Sequence, residues 1–129
     1  MMNFLVIIPT YNENANIAKV LDKVLNLKSN SNIEILVIDD GSPDNTALTV
    51  KKLMKNNPKM HLIERDCKMG LSSAYCTGFK WALNKKFDYV VQMDADLSHN
   101  PKDILKFINN AHNFELVIGS RYKTGVNFV

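Results

Sequence analysis

Glycine is scarce in this chain, and its placement excludes two nucleotide-binding classes. The five glycines are Gly41, Gly70, Gly78, Gly119 and Gly125. Neither GxGxxG nor GxxxxGK[ST] can be built from them, which disfavours a dinucleotide-binding fingerprint and a P-loop. Cysteine is scarcer still. Cys67 and Cys76 show no CxxC spacing and no nearby histidine pair, so they read as reduced thiols and not as a zinc site. No apolar run approaches the roughly 20 residues of a membrane-crossing helix. Met1 leads straight into the short run at 4–8, so no secretory leader is expected and the protein is expected to be cytoplasmic. One-signed charge is also lacking. Sixteen basic residues against 13 acidic leave a net +3, too little for the basic stripe of a nucleic-acid binder but compatible with an anionic membrane surface.

What is present is the alternation of an α/β domain spanning residues 1–129. Runs rich in Val, Ile, Leu and Tyr at 4–8, 33–39, 60–63, 89–93 and 116–118 predict strands. The first, second and fourth are nearly continuously apolar, as suits strands covered on both faces. Ile17, Val20, Leu21, Val24 and Leu25 recur at helical spacing. Leu48, Leu53 and Met54 outline a second helix; Leu71, Ala74, Tyr75, Gly78, Phe79, Ala82 and Leu83 outline a third. Asn100, Pro101 and Asp103 open a fourth as cap, first position and first-turn acid, with Ile104, Leu105 and Ile108 facing inward. Strands alternating with helices predict a mostly parallel, Rossmann-like sheet with right-handed crossovers and helices on both faces.

Ligands of such sheets bind outside the carboxyl ends of the strands. Three of those ends are chemically loaded here: Pro9-Thr10-Tyr11-Asn12-Glu13, Asp39-Asp40-Gly41-Ser42-Pro43-Asp44 and Asp94-Ala95-Asp96. Acids crowded on one edge repel unless cations or hydrogen-bond donors offset them. Two carboxylates at i, i+2 can point to one side and suit Mg²⁺ or Mn²⁺, with diphosphate and water completing the shell. A solvated loop explains such a pair equally simply. Asp40 is placed to accept from base or ribose; Asp44 serves as well for a helix cap as for a ligand contact. Tyr11 can stack on a base and Glu13 can accept from it, or Glu13 can sit in a helix's first turn. Arg65, Lys68 and Arg121 are the cations available for phosphate. His61 and His112 read as structural, His99 as adjacent to the aspartate pair, and Trp81 as packing.

These three segments, together with Lys68-Met69-Gly70-Leu71 and Gly119-Ser120-Arg121-Tyr122, resemble the family 2 glycosyltransferases of GT-A fold, and within them the dolichol-phosphate or polyprenol-phosphate mannosyltransferase branch. The resemblance runs through essentially the whole chain. It implies GDP-mannose as donor, a polyprenyl or dolichyl phosphate as acceptor, and a Mg²⁺ or Mn²⁺ cofactor. Pro9, Tyr11, Glu13, Ile38 and Asp40 would contact the nucleoside. Asp94, Ala95 and Asp96 would hold diphosphate and metal, with Ser98 close by and Arg121 near the phosphates; Asp96 and Arg121 would be catalytic. It also implies a peripheral position at the cytosolic face of a membrane, and a further C-terminal part, about one domain's worth, completing the acceptor site. Two departures stand out. Ser73 and Asn45 occupy positions where the family usually has glycine; Asn tolerates positive φ, whereas Ser73 falls in a loop expected to approach the sugar. Rival readings are a family 2 enzyme using a UDP-sugar, a fragment that binds nucleotide without turnover, and a phosphatase of the haloacid-dehalogenase type, which needs lysine and acidic elements well beyond Asp96.

Overall fold

The computed structural model describes residues 2–111. Four parallel strands, β1 (Asn3–Thr10), β2 (Asn32–Asp39), β3 (Met60–Glu64) and β4 (Tyr89–Gln92), lie in the order β3-β2-β1-β4. Between and after them run α1 (Ile17–Leu25), α2 (Thr46–Met54), α3 (Leu71–Leu83) and α4 (Asp103–Ala111). The strand expected at 116–118 and His112 lie outside the described residues.

The apolar runs form strands because both faces are covered. Phe4, Val6 and Ile8 of β1 join Ile35 and Val37 of β2 in one core with α1, α2 and α4. Leu5 and Ile7 join Leu36 and Ile38 in a second core beneath α3. The placement of the helices follows from connectivity. The chain steps β1, β2, β3 in one direction, then returns past β1 to β4. Right-handed crossovers put α1 and α2 on one face and α3 on the other.

Two helices differ from the pattern the sequence suggests. In α2 it is Thr46 and Val50 that are buried, while Leu48 is 50% exposed. In α3 the sheet-facing stripe is Ala74, Gly78 and Ala82, and Leu71 and Leu83 are exposed. Small residues at every fourth position let α3 lie close on the sheet. A Cβ at Gly78 would stand 2.7 Å from Ile7 Cδ1 and 3.1 Å from Ile38 Cδ1. The α4 helix begins at Asp103, after a turn in which Asn100 Oδ1 accepts from Lys102 N at 3.0 Å.

Candidate active site at the carboxyl edge of the sheet

All four strands are parallel, so their carboxyl ends share one edge, and the loops after β2, β1 and β4 are neighbours there. Thr10 pairs with Asp39 across β1 and β2, and Met93 N donates to Ile7 O at 3.1 Å just beyond β4. The three loaded segments therefore meet as expected. All non-glycine residues with positive φ among those described, Asn12, Asn45 and Leu97, lie in loops of this edge, as do Gly41 and Gly70. Left-handed backbone costs a residue such as leucine roughly 1–2 kcal/mol, and such strain clusters at functional sites. Asn45, at φ 69°, adopts the conformation for which glycine is the usual choice.

The loops after β1 and β2 are laced together. Three successive amides of the first, Asn12, Glu13 and Asn14, donate to Ser42 Oγ, Thr46 Oγ1 and Asp44 Oδ2 at 2.9, 3.1 and 3.0 Å. Asp39, 2% exposed, accepts from Thr10 Oγ1 at 2.7 Å and Ser42 Oγ at 2.6 Å. Gly41 follows at φ 68°, and a Cβ there would lie 2.7 Å from the Asp66 carbonyl oxygen. Only glycine fits this turn. Asp44 is not the N-cap of α2, which is Asn45, but precedes it and ties down the helix entry: it accepts from Thr46 N at 3.1 Å and from the Thr46 hydroxyl. Burial raises its carboxyl, but the bonds from Thr46 and Asn14 outweigh that and hold it below its ordinary value.

Asp40 has its own partner within the protein. Its side chain and that of Arg65 are each 8% exposed. Arg65 Nε and Nη2 meet Asp40 Oδ1 and Oδ2 at 2.6 and 2.8 Å, the two-toothed geometry that favours arginine. Arg65 is thus not a spare phosphate cation; its bonds to Asp40 hold it firmly charged. Its Nη1 donates to Ser73 Oγ at 2.7 Å and Thr77 Oγ1 at 3.3 Å. Ser73 belongs to the first turn of α3 and not to a loop, and it serves as a partner for this guanidinium. The spacing of Ser73 and Thr77, one helical turn apart, was a readable signal for a shared polar partner.

The remaining predicted residues divide by exposure. Tyr11 is 38% exposed, and Lys68 Nζ stands 4.8 Å from its ring centroid, so one part of the expected stacking surface already carries a cation. Glu13 and Pro9 are partly exposed beside it. Ile38 is fully buried in the core under α3, and Ala95 is 3% exposed. Both side chains are covered by protein, Ile38 under α3 and Ala95, in the loop beyond β4, against the opposite core. Arg121 lies outside the described residues.

Asp94 and Asp96 remain. Asp94 Oδ1 accepts from the Tyr75 hydroxyl at 3.1 Å, and its amide donates to His99 Nδ1 at 3.2 Å. His99 Nε2 stands 4.0 Å from Asp94 Oδ2. Burial, and then the Asp94 charge beside it, push the Tyr75 phenol well above its ordinary value. Asp96 is exposed; its Oδ1 accepts from Ser98 N at 2.9 Å, and the Ser98 side chain and amide lower its carboxyl. Of the five aspartates at the end of β2 and in the loops after β2 and β4, Asp39, Asp40 and Asp44 are held by hydrogen bonds to neighbouring segments of the protein. Among the described residues the hydrogen bonds to Asp94 and Asp96 reach Oδ1, while Asp94 Oδ2 faces His99 Nε2.

The parallel sheet with helices on both faces matches those of solved GT-A glycosyltransferases, which gives the class of the fold. The family model for glycosyl transferase family 2 matches residues 5–129, and the chain belongs to that family. It is 38% identical over 128 residues, 99% of its length, to the undecaprenyl-phosphate mannosyltransferase of Micrococcus luteus, of which it spans 52%. It is 40% identical over 94% of its length to the polyprenol monophosphomannose synthase of Mycolicibacterium smegmatis, of which it spans 46%. Among solved structures it resembles the mannosyltransferase PcManGT from Pyrobaculum calidifontis in complex with GDP-Man and Mn²⁺. That match has a TM-score of 0.62 and 29% identity, covering 72% of this chain and 27% of that one. The chain spans about half the length of these two curated relatives.

Proposed function

We propose that this chain is the donor-binding part of an inverting mannosyltransferase that moves mannose from GDP-mannose to a polyprenyl phosphate. The observation that carries the reading is the division among the edge carboxylates. Asp39 and Asp40 are buried and bonded within the protein and Asp44 is bonded to Thr46, while Asp94 is part-exposed and Asp96 exposed on the loop beside β1. The names of the relatives and the GDP-Man and Mn²⁺ of the solved neighbour support the same chemistry.

A divalent cation fits this donor set. Among the described residues no three His, Cys, Asp or Glu side chains converge on one point. Mg²⁺ and Mn²⁺ suit such a site, because they take one or two carboxylates and complete their shell from substrate phosphate and water. Asp94 and Asp96 would hold the ion, which when bound neutralises charge growing on the leaving diphosphate. Tyr11 and Glu13 border the space for the nucleoside. Arg65, locked onto Asp40, keeps that buried carboxylate from adding its charge to the diphosphate site. The acceptor, a phosphate monoester with a second pKa of about 6, is already anionic near neutral pH. It attacks the anomeric carbon in line without a protein base, and Arg121 is the residue assigned to its phosphate. No helix of the described residues is long and apolar enough to cross a membrane.

Calorimetry with GDP and Mn²⁺ tests the donor half directly: wild type binds, and Asp96→Ala loses at least tenfold in affinity, the order expected for a ligand of the ion. Undiminished binding by Asp96→Ala removes the assignment. Transfer of labelled mannose from GDP-mannose to an organic-extractable polyprenyl product, in the protein carrying its acceptor part, tests the remainder.

A further inference from the structure

The β3-to-β4 crossover carries α3 across the face opposite α1, α2 and α4, and from there its side chains reach both acidic loops. Ser73 and Thr77 hold Arg65, which holds Asp40. Tyr75, between them in sequence, reaches the other loop and bonds Asp94. We propose that Tyr75 is a positioning residue for the cation site: its hydroxyl anchors Asp94 Oδ1, so that Oδ2 is presented in one orientation. The inference rests on the assignment of Asp94 as a ligand of the ion.

Three features make the anchor rigid. The register of α3 against the sheet is set where Gly78 meets Ile7 and Ile38, since no Cβ fits there. Its first turns are tied to the buried Arg65–Asp40 pair. The Tyr75 ring stacks on Phe79, one turn further along the helix, with centroids 6.5 Å apart and planes at 24°. A carboxylate accepts and cannot donate, so the phenol must be the donor. Asp94 lies just past the end of β4, where its main-chain amide is also engaged, by His99. The side chain of this aspartate is therefore held from α3 and its backbone by its own loop. Partners that orient a ligating carboxylate govern metal affinity without touching the metal.

The test is a double-mutant cycle read by Mn²⁺ affinity in the presence of GDP, by calorimetry and by the electron paramagnetic resonance of free Mn²⁺. Tyr75→Phe keeps the ring that stacks on Phe79 and removes only the hydroxyl; circular dichroism and the unfolding midpoint are followed alongside. It should weaken Mn²⁺ roughly tenfold and leave GDP affinity without metal unchanged. In an Asp94→Asn background the same substitution should add no further loss. Equal Mn²⁺ affinity in wild type and Tyr75→Phe, or an undiminished loss in the Asp94→Asn background, overturns the proposal. Wild type that binds GDP but no Mn²⁺ overturns the ligand assignment itself, a failure visible before any Tyr75 variant is made.

Discussion

Arg65 and Asp40 form an ion pair at 8% side-chain exposure each, where an unpaired charge has little access to water. Breaking such a pair by removing one partner typically costs about 3–5 kcal/mol, because the other is left buried and uncompensated. Arg65→Met is expected to lower stability by that order in urea denaturation. Adding Asp40→Asn should recover much of the loss, since the neutral amide can be buried more cheaply. Asp44 offers a pH-dependent counterpart. Against the effect of burial, the bonds from Thr46 and Asn14 hold its carboxyl below the ordinary value in the folded protein. Its contribution is therefore fully present above the unfolded carboxylate value and is lost as pH falls through the folded one. Asp44→Asn should flatten the acid limb of stability against pH, and a limb of unchanged slope counts against these bonds. At this scale the sequence was ambiguous for a physical reason. Asp40 and Asp44 are both acids in a turn, and only their partners, Arg65 from β3's loop and Asn14 from β1's, distinguish a buried ion pair from a tie between two loops.

At the scale of elements, α3 is the helix on which the site depends, and Gly78 sets its height above the sheet. Alanine there gains about 1 kcal/mol of helix propensity. It also places a methyl 2.7 and 2.9 Å from Ile7 Cδ1 and Cγ2. Ile7 is fully buried, so the clash cannot be relieved by swinging into solvent. Overpacking of this kind costs roughly 1–3 kcal/mol. Gly78→Ala is expected to be net destabilising by thermal unfolding, and Ile7→Val, which deletes the Cδ1 atom, should return part of the loss. If Gly78→Ala stabilises the protein, α3 does not lie as close as described. Helix α1 was legible because Ile17, Val20, Leu21 and Val24 are large and all buried. The inner face of α3 was obscured because small residues mark it, so the larger Leu71 and Leu83 dominate the pattern while pointing to solvent.

For the molecule as a whole, β1 is the keystone. It pairs with β2 along its full length and with β4 on its other side, and Leu5 through Ile8 are wholly buried. Amide exchange should be slowest in β1, with the exposed carboxyl-edge loops exchanging early; fast exchange in β1 would contradict the sheet order. The composition and periodicity alone determined an α/β domain with a parallel sheet, because continuous apolar runs between amphipathic segments have no other economical burial. They also determined that the acidic turns fall at strand ends, since those turns directly follow the runs. What tertiary structure decided is which acids remain available. That depends on donors distant in sequence, Thr10 for Asp39, Arg65 for Asp40 and Tyr75 for Asp94, which only the strand order β3-β2-β1-β4 and the α3 crossover bring within hydrogen-bonding reach.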